Sequence, residues 1–121
     1  MTRVLVADDH AAYRSSVVRA LEGAGLEVVA EARDGAEALE LARQLEPDVA
    51  LLDLRMPEAS GSEVAAALRH EGSPTRVLVL SAYLEPEVVC AALLAGVHGY
   101  LSKDASRAAI VLAVAAAANA T

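Results

Sequence analysis

Five side chains in this sequence stand where they could do chemistry together. Two adjacent acids, Asp8 and Asp9, follow the apolar run "RVLVA"; a third, Asp53, follows "VALL"; Ser81 follows "RVLVL"; and Lys103 follows "GYLS". Each sits just past a short apolar stretch, where a buried strand would surface. Clustered carboxylates repel one another and stay ionised together when a cation lies among them. Hard oxygen donors with an incomplete cage suit Mg²⁺, which keeps waters and shares a substrate phosphate. Lys103 offers a point charge for phosphate oxygens, and Ser81 a hydrogen-bond donor. A carboxylate nucleophile, a metal and a cationic donor together describe phosphoryl transfer onto an aspartate. Side chains of adjacent residues diverge on a regular strand, so Asp8 and Asp9 reach one ion only if the chain turns there.

The elements that must position these groups are legible from periodicity. Residues 3–7, 26–32, 49–52, 76–82 and 98–102 are short and apolar and predict strands. Residues 11–25, 34–47, 61–72, 85–96 and 105–120 carry apolar positions at helical spacing, bounded by Gly, Pro or capping residues, and predict helices. Pro86 suits the first turn of the fourth helix. Strict alternation of strand and helix makes (βα)₅, an α/β fold with a parallel sheet covered on both faces. Strands buried on both sides read as continuous apolar runs, as "VLVA", "VALL" and "VLVL" do. In an open parallel sheet, ligands bind beyond the carboxyl ends of the strands, which is where all five side chains fall.

The bulk composition narrows the classes. A chain of 121 residues is one ordinary domain. Phe and Trp are absent, so the core is built from Val, Leu and Ala. A net charge of −7 argues against this domain gripping nucleic acid or an anionic membrane by itself. The single cysteine, Cys90, excludes an internal disulfide and fits a reducing, cytoplasmic setting. It reads as a small buried hydrophobe. The N-terminus has no signal-peptide pattern, and the uncharged run 108–121 is too short to span a membrane.

Taken in order, "DD" at Asp8 and Asp9, "DLRMP" from Asp53 to Pro57 with Gly61 beyond it, "SA" at Ser81 and Ala82, and "GYLSKD" from Gly99 to Asp104 resemble a response-regulator receiver domain of two-component signalling. Each motif alone is weak; all four at their proper strand ends are a strong signal across the whole chain. "DDH" with Arg14, together with "GYLSKD", most resembles the NarL/FixJ subfamily. The resemblance implies a flavodoxin-like sheet of order 2-1-3-4-5 and one receiver domain over residues 1–121. It implies that Asp53 accepts phosphate from a sensor histidine kinase. Mg²⁺ is then bound by Asp9 directly, by Asp8 mainly through water, by Asp53 and by the backbone carbonyl of Arg55. Lys103 contacts the phosphoryl group or the free carboxylate. Ser81 moves toward the phosphoryl oxygens and Tyr100 rotates inward behind it, which reshapes the surface of the fourth helix, fifth strand and fifth helix. The protein is then a phosphoacceptor switch and not a turnover enzyme, with transcriptional output.

Three departures stand out. Asp104 replaces the proline that often follows the lysine in a cis peptide; without proline a cis bond costs about 2.5–4 kcal/mol, so a trans bond is expected. Arg55 and Tyr83, each two residues past a site residue, flank the path of a hydrolytic water and are expected to slow dephosphorylation. The helix-turn-helix output domain usual in the subfamily has no counterpart in this sequence, so the expectation is either a truncation or a stand-alone receiver, with DNA contact only through an output domain outside it. The last helix is apolar nearly all round and calls for cover on more than one side, for which dimerisation through that helix, with the first, is one reading and high alanine propensity with a frayed end the other.

Blander readings stand beside these. The acid pair could be a helix N-cap, Lys103 a solvated lysine, Ser81 a strand-end hydroxyl and Tyr100 core filler. A Mg²⁺-dependent phosphatase with an aspartyl nucleophile is an alternative, but such enzymes space their first-strand acids as D-x-D. A receiver-like interaction module that ignores phosphate is another. A flavin carrier lacks its phosphate-cradling loop.

Overall fold

Ten elements alternate along the chain: β1 (Arg3–Ala7), α1 (Ala11–Gly23), β2 (Glu27–Ala32), α2 (Gly35–Leu45), β3 (Val49–Asp53), α3 (Gly61–His70), β4 (Arg76–Ser81), α4 (Pro86–Leu94), β5 (Gly99–Ser102) and α5 (Arg107–Ala118). The computed structural model describes residues 1–120; Thr121, the last residue of the expected domain, lies outside the described residues. Every element falls where its periodicity predicts, with ends shifted by a few residues for local reasons. The first helix stops at Gly23 because Gly25 takes φ +88°, a left-handed backbone open to glycine that turns the chain into β2. Asp34 accepts from the Glu37 N–H and so caps α2. Ser60 and Glu63 form a reciprocal capping box that starts α3. Ser106 accepts from the Ala109 N–H, so α5 begins at Arg107.

The five strands are parallel in the order β2-β1-β3-β4-β5, as expected. Side chains alternate across the sheet with period two. Leu5, Ala7, Ala50, Leu52, Val77 and Val79 face α2, α3 and α4, while Val4, Val6, Val49, Leu51, Leu78 and Leu80 face α1 and α5. Each fully buried Leu or Val among them contributes roughly 1.5–3 kcal/mol of burial.

Coverage is uneven. Helix α4 buries only Ala92, while Leu93 and Leu94 are exposed. Cys90 is exposed on the same helix, which corrects the expectation that it is buried: α4 meets the sheet along one narrow line, and Cys90 is off that line. Helix α5 buries Ile110 and Val114 and leaves Leu112 70% exposed. No helix among the described residues is long and apolar enough to cross a membrane.

Candidate functional site

The strand register brings the acids together. Ala7 pairs with Leu52, so the next residues on β1 and β3, Asp8 and Asp53, emerge side by side. Ser81 pairs with Ser102, so Lys103 leaves β5 beside the end of β4. The Lys103 N–H donates to the Ser81 carbonyl at 3.0 Å, which fastens the lysine's backbone to the adjoining strand. The chain turns directly after Asp8, whose Oδ1 accepts from the His10 N–H at 2.8 Å. That turn brings both adjacent acids to one side. The N-cap of α1 is His10, and no side chain caps that helix, so the acid pair is not there to start it.

Lys103 lies between two buried carboxylates. Its Nζ is 3.1 Å from Asp53 Oδ2, to which it donates, and 2.9 Å from Asp8 Oδ2. The approach to Asp8 is off-axis, so that oxygen has an ionic neighbour but no directed hydrogen bond. Burial pushes the Asp53 carboxyl above its ordinary value, and the charge of Asp8 adds to this; Lys103 and the Arg55 N–H pull it back only in part. Burial lowers the Lys103 ammonium, but its ion pairs with Asp8 and Asp53 outweigh that and hold it above its ordinary value. One cation shared by two acids therefore leaves the pocket short of positive charge.

The donor set fits Mg²⁺. Ligand atoms of Asp8, Asp9, His10 and Asp53 lie within 4.8 Å of one another. Three of the four are carboxylate oxygens, and Asp8 Oδ2 is buried without a hydrogen bond of its own, the arrangement a hard cation completes. The His10 nitrogen is a poor match for an ion that prefers oxygen.

Above the acids is a shallow cleft of about 370 Å³, lined by Asp9, His10, Asp53, Arg55, Ser81, Ala82, Tyr83 and Lys103. Ser81 is buried, and its Oγ accepts from the Tyr83 N–H at 2.9 Å, leaving its own proton free to donate. Tyr100 stands one step away: its hydroxyl donates to the Tyr83 carbonyl at 2.6 Å. The Arg55 guanidinium stacks 4.0 Å from the centroid of the Tyr83 ring, so the two bulky groups meet over the cleft. All peptide bonds among the described residues are trans, the Lys103–Asp104 bond included.

Two glycines hold the loop after Asp53 close. A Cβ on Gly61 would lie 2.8 Å from the Asp53 carbonyl oxygen, and one on Gly35 would lie 1.9 Å from that of Ala59. The Gly35 N–H donates to the Pro57 carbonyl at 3.0 Å.

Three participants escaped the reading of the sequence as site residues. Arg14 donates to the Asp8 carbonyl at 2.6 Å and so pins the turn. Tyr13 lies against Lys103, and Arg107 packs on the same tyrosine ring. Burial pushes the Tyr13 hydroxyl above its ordinary value, against the pull of Arg107 and Lys103. The available signal was scarcity: the chain has only three aromatic residues, all tyrosine, and all three stand around this pocket.

The comparisons with known proteins agree with this geometry. The sequence model for the response regulator receiver domain matches residues 4–115. The "Probable transcriptional regulatory protein NarL" of Mycobacterium tuberculosis is 55% identical over 113 residues, which cover 93% of this chain and 52% of that protein. The nitrate/nitrite response regulator protein NarP of Escherichia coli is 41% identical over 118 residues, covering 97% of this chain and 55% of that one. The chain thus spans about half the length of these curated relatives. Among solved structures, the signal receiver domain of NarL from Mycobacterium tuberculosis superposes with a TM-score of 0.97 at 52% identity, covering 99% of this chain and 98% of the other.

Proposed function

This chain belongs to the response regulator receiver domain family, and from that premise we propose that Asp53 is its phosphoacceptor. A receiver domain of a NarL/NarP-type two-component regulator is a phosphoacceptor switch and not a turnover enzyme, which sets the phosphatase reading aside. A sensor kinase is its expected partner. Receiver domains bind Mg²⁺ at the acidic pocket, and this chain has the acid cluster for it.

In the proposed reaction a carboxylate oxygen of Asp53 attacks the phosphorus of a kinase phosphohistidine. The O–P bond forms as the P–N bond breaks, and the imidazole leaves. Asp9 would hold the ion directly, Asp8 mainly through water, and Asp53 and the Arg55 carbonyl would complete the protein's ligands. When bound, the ion supplies positive charge shared between carboxylates and phosphoryl oxygens. Lys103 contributes the second cation, and its position between Asp8 and Asp53 is the single observation that carries this reading. The Ser81 hydroxyl donates to a phosphoryl oxygen. As Ser81 moves, the Tyr83 N–H that it now accepts goes with it. The Tyr83 carbonyl is the partner of the Tyr100 hydroxyl, so the same motion releases Tyr100 and alters the α4–β5–α5 face.

We further assign a homodimer to the exposed apolar side of α5, together with α1, where Ala20, Gly23, Ala24, Ala108, Val111 and Leu112 line a groove. The printed name of the Mycobacterium tuberculosis relative supports transcriptional output, with any DNA contact made by a domain beyond the half these residues match, and the lone cysteine fits a cytoplasmic setting.

The test is to incubate wild type and Asp53→Asn with acetyl phosphate and Mg²⁺, and in parallel with beryllofluoride. Intact mass should show one phosphoryl group on wild type and none on the variant, and light scattering should show a larger species only for activated wild type. Equal phosphate uptake by Asp53→Asn would overturn the assignment of Asp53. A mass that stays monomeric at every concentration would overturn the dimer.

A further inference from the structure

Lys103 is the only lysine in the chain, and its side chain has to reach back from the β5–α5 loop to the acids. Ion pairs with Asp8 and Asp53 hold its tip; something else must hold the rest. Its Nζ lies 4.8 Å from the centroid of the Tyr13 ring, within reach of a cation–π attraction. The Tyr13 hydroxyl donates to the Lys103 carbonyl at 3.3 Å, so one side chain of α1 touches both ends of the lysine. On the same ring, the Arg107 guanidinium sits 4.6 Å from the centroid, while its Nε donates to Ser16 Oγ at 2.8 Å. Tyr13 and Ser16 are three residues apart on one face of α1. Arg107 opens α5 and borders the α1–α5 groove.

The geometry points to Tyr13 as a positioning residue for the phosphorylation chemistry: its ring and hydroxyl fix Lys103 over the acid pair and tie it to the first turn of α5. This deepens the receiver reading and rests on it. With the ring in place the ammonium is confined between the ring face and two carboxylates. Without it, the four-carbon stem is free to swing toward solvent and the lysine reaches the phosphoryl group only part of the time. The cation–π share is about 0.5–2 kcal/mol in such partly desolvated settings, which converts to a roughly 2- to 30-fold slower reaction at about 1.4 kcal/mol per decade.

Lysine-selective isotope labelling reports on one residue here, because there is one lysine. In wild type and in Tyr13→Phe, the Lys103 ε-methylene protons should be shifted upfield by the ring; in Tyr13→Leu they should return to the position of a free lysine. Phosphorylation by acetyl phosphate with Mg²⁺ should slow 2- to 30-fold in Tyr13→Leu and much less in Tyr13→Phe, with folding of each checked by circular dichroism. In a Lys103→Met background Tyr13→Leu should cost nothing further, a coupling that a merely structural tyrosine would not produce. Lysine signals unchanged between wild type and Tyr13→Leu would overturn the proposal. So would a full loss persisting without Lys103, or Tyr13→Phe falling as far as Tyr13→Leu. If the Leu variant does not fold, the Phe variant decides, since it keeps the ring: loss of the shifted signals there also overturns the proposal. A wild type that takes up no phosphate would defeat the receiver reading and leave the lysine signals still to judge Tyr13.

Discussion

Replacing Lys103 by methionine removes the cation from between Asp8 and Asp53 and keeps its apolar stem. The side chains of Asp8 and Asp53 are 3% and 8% exposed, and that of Lys103 is 20% exposed. Removing one partner of a buried pair costs on the order of 3–5 kcal/mol because the other charge is left uncompensated. Partial exposure of the lysine puts this case at the low end, about 3 kcal/mol. For a domain of this length one kcal/mol moves the melting temperature by roughly 4 °C, so Lys103→Met in EDTA should melt about 12 °C below wild type. Mg²⁺ should close about half of this gap. At a hundredfold excess of free ion over its Kd, binding adds about 2.7 kcal/mol to either protein. In the variant no ammonium competes for Asp8 Oδ2 and Asp53 Oδ2, so the ion's Kd should fall at least about tenfold, a further 1.4 kcal/mol. Thermal melts over a Mg²⁺ series measure both quantities. Equal melting temperatures in EDTA together with an unchanged Mg²⁺ affinity would refute the shared-cation account.

Gly61→Ala places a methyl group 2.8 Å from the Asp53 carbonyl oxygen; backbone cannot swing aside, so the strain of about 1–3 kcal/mol should exceed the helix-propensity gain of up to about 1 kcal/mol, and a urea midpoint as high as wild type would contradict the close approach. Substituting Ala for both Arg55 and Tyr83 opens the stack over the cleft and should shorten the aspartyl-phosphate lifetime roughly tenfold, a barrier change of about 1.4 kcal/mol; an unchanged decay of radiolabel would defeat that gate. The pH dependence follows from Asp53, whose carboxyl is raised in the folded state. The native protein then binds more protons than the unfolded chain between the ordinary and the raised value, so stability falls as pH rises through that window. In EDTA at neutral pH, Asp53→Asn should therefore be more stable than wild type, and the gap should close as pH drops below the ordinary carboxylate value; a gap independent of pH would count against the burial of Asp53.

The ten elements and the meeting of the strand-end side chains in one cleft were legible because both are written locally. A parallel strand buried on two faces must be apolar throughout, and the residue that ends it must face solvent or a ligand, so Asp8, Asp53, Ser81 and Lys103 announce themselves by position. What was not legible depends on how many neighbours an element finds. Cys90 in the apolar α4 reads as buried, yet it is exposed, and only Ala92 of that helix is buried. Tyr13 at helical spacing reads as core, and its ring does pack on the α1–α5 side. Its second use, against a lysine 90 residues away, exists only once β1 and β5 lie in the same sheet.

The loop after Asp53 is not equally free on its two flanks. On one, the α2 start presses on Ala59 so closely that a single methyl group has no room, and Gly61 meets the Asp53 backbone in the same way. On the other, Ala82, Tyr83, Leu84 and Glu85 are exposed. On the proposed reading, volume added at Asp53 would be steered like water behind a one-sided dam: it would have no room toward α2 without breaking backbone packing, so the displacement would drain toward α4. On that reading the direction of the message would be set by steric bulk present before any phosphate arrives.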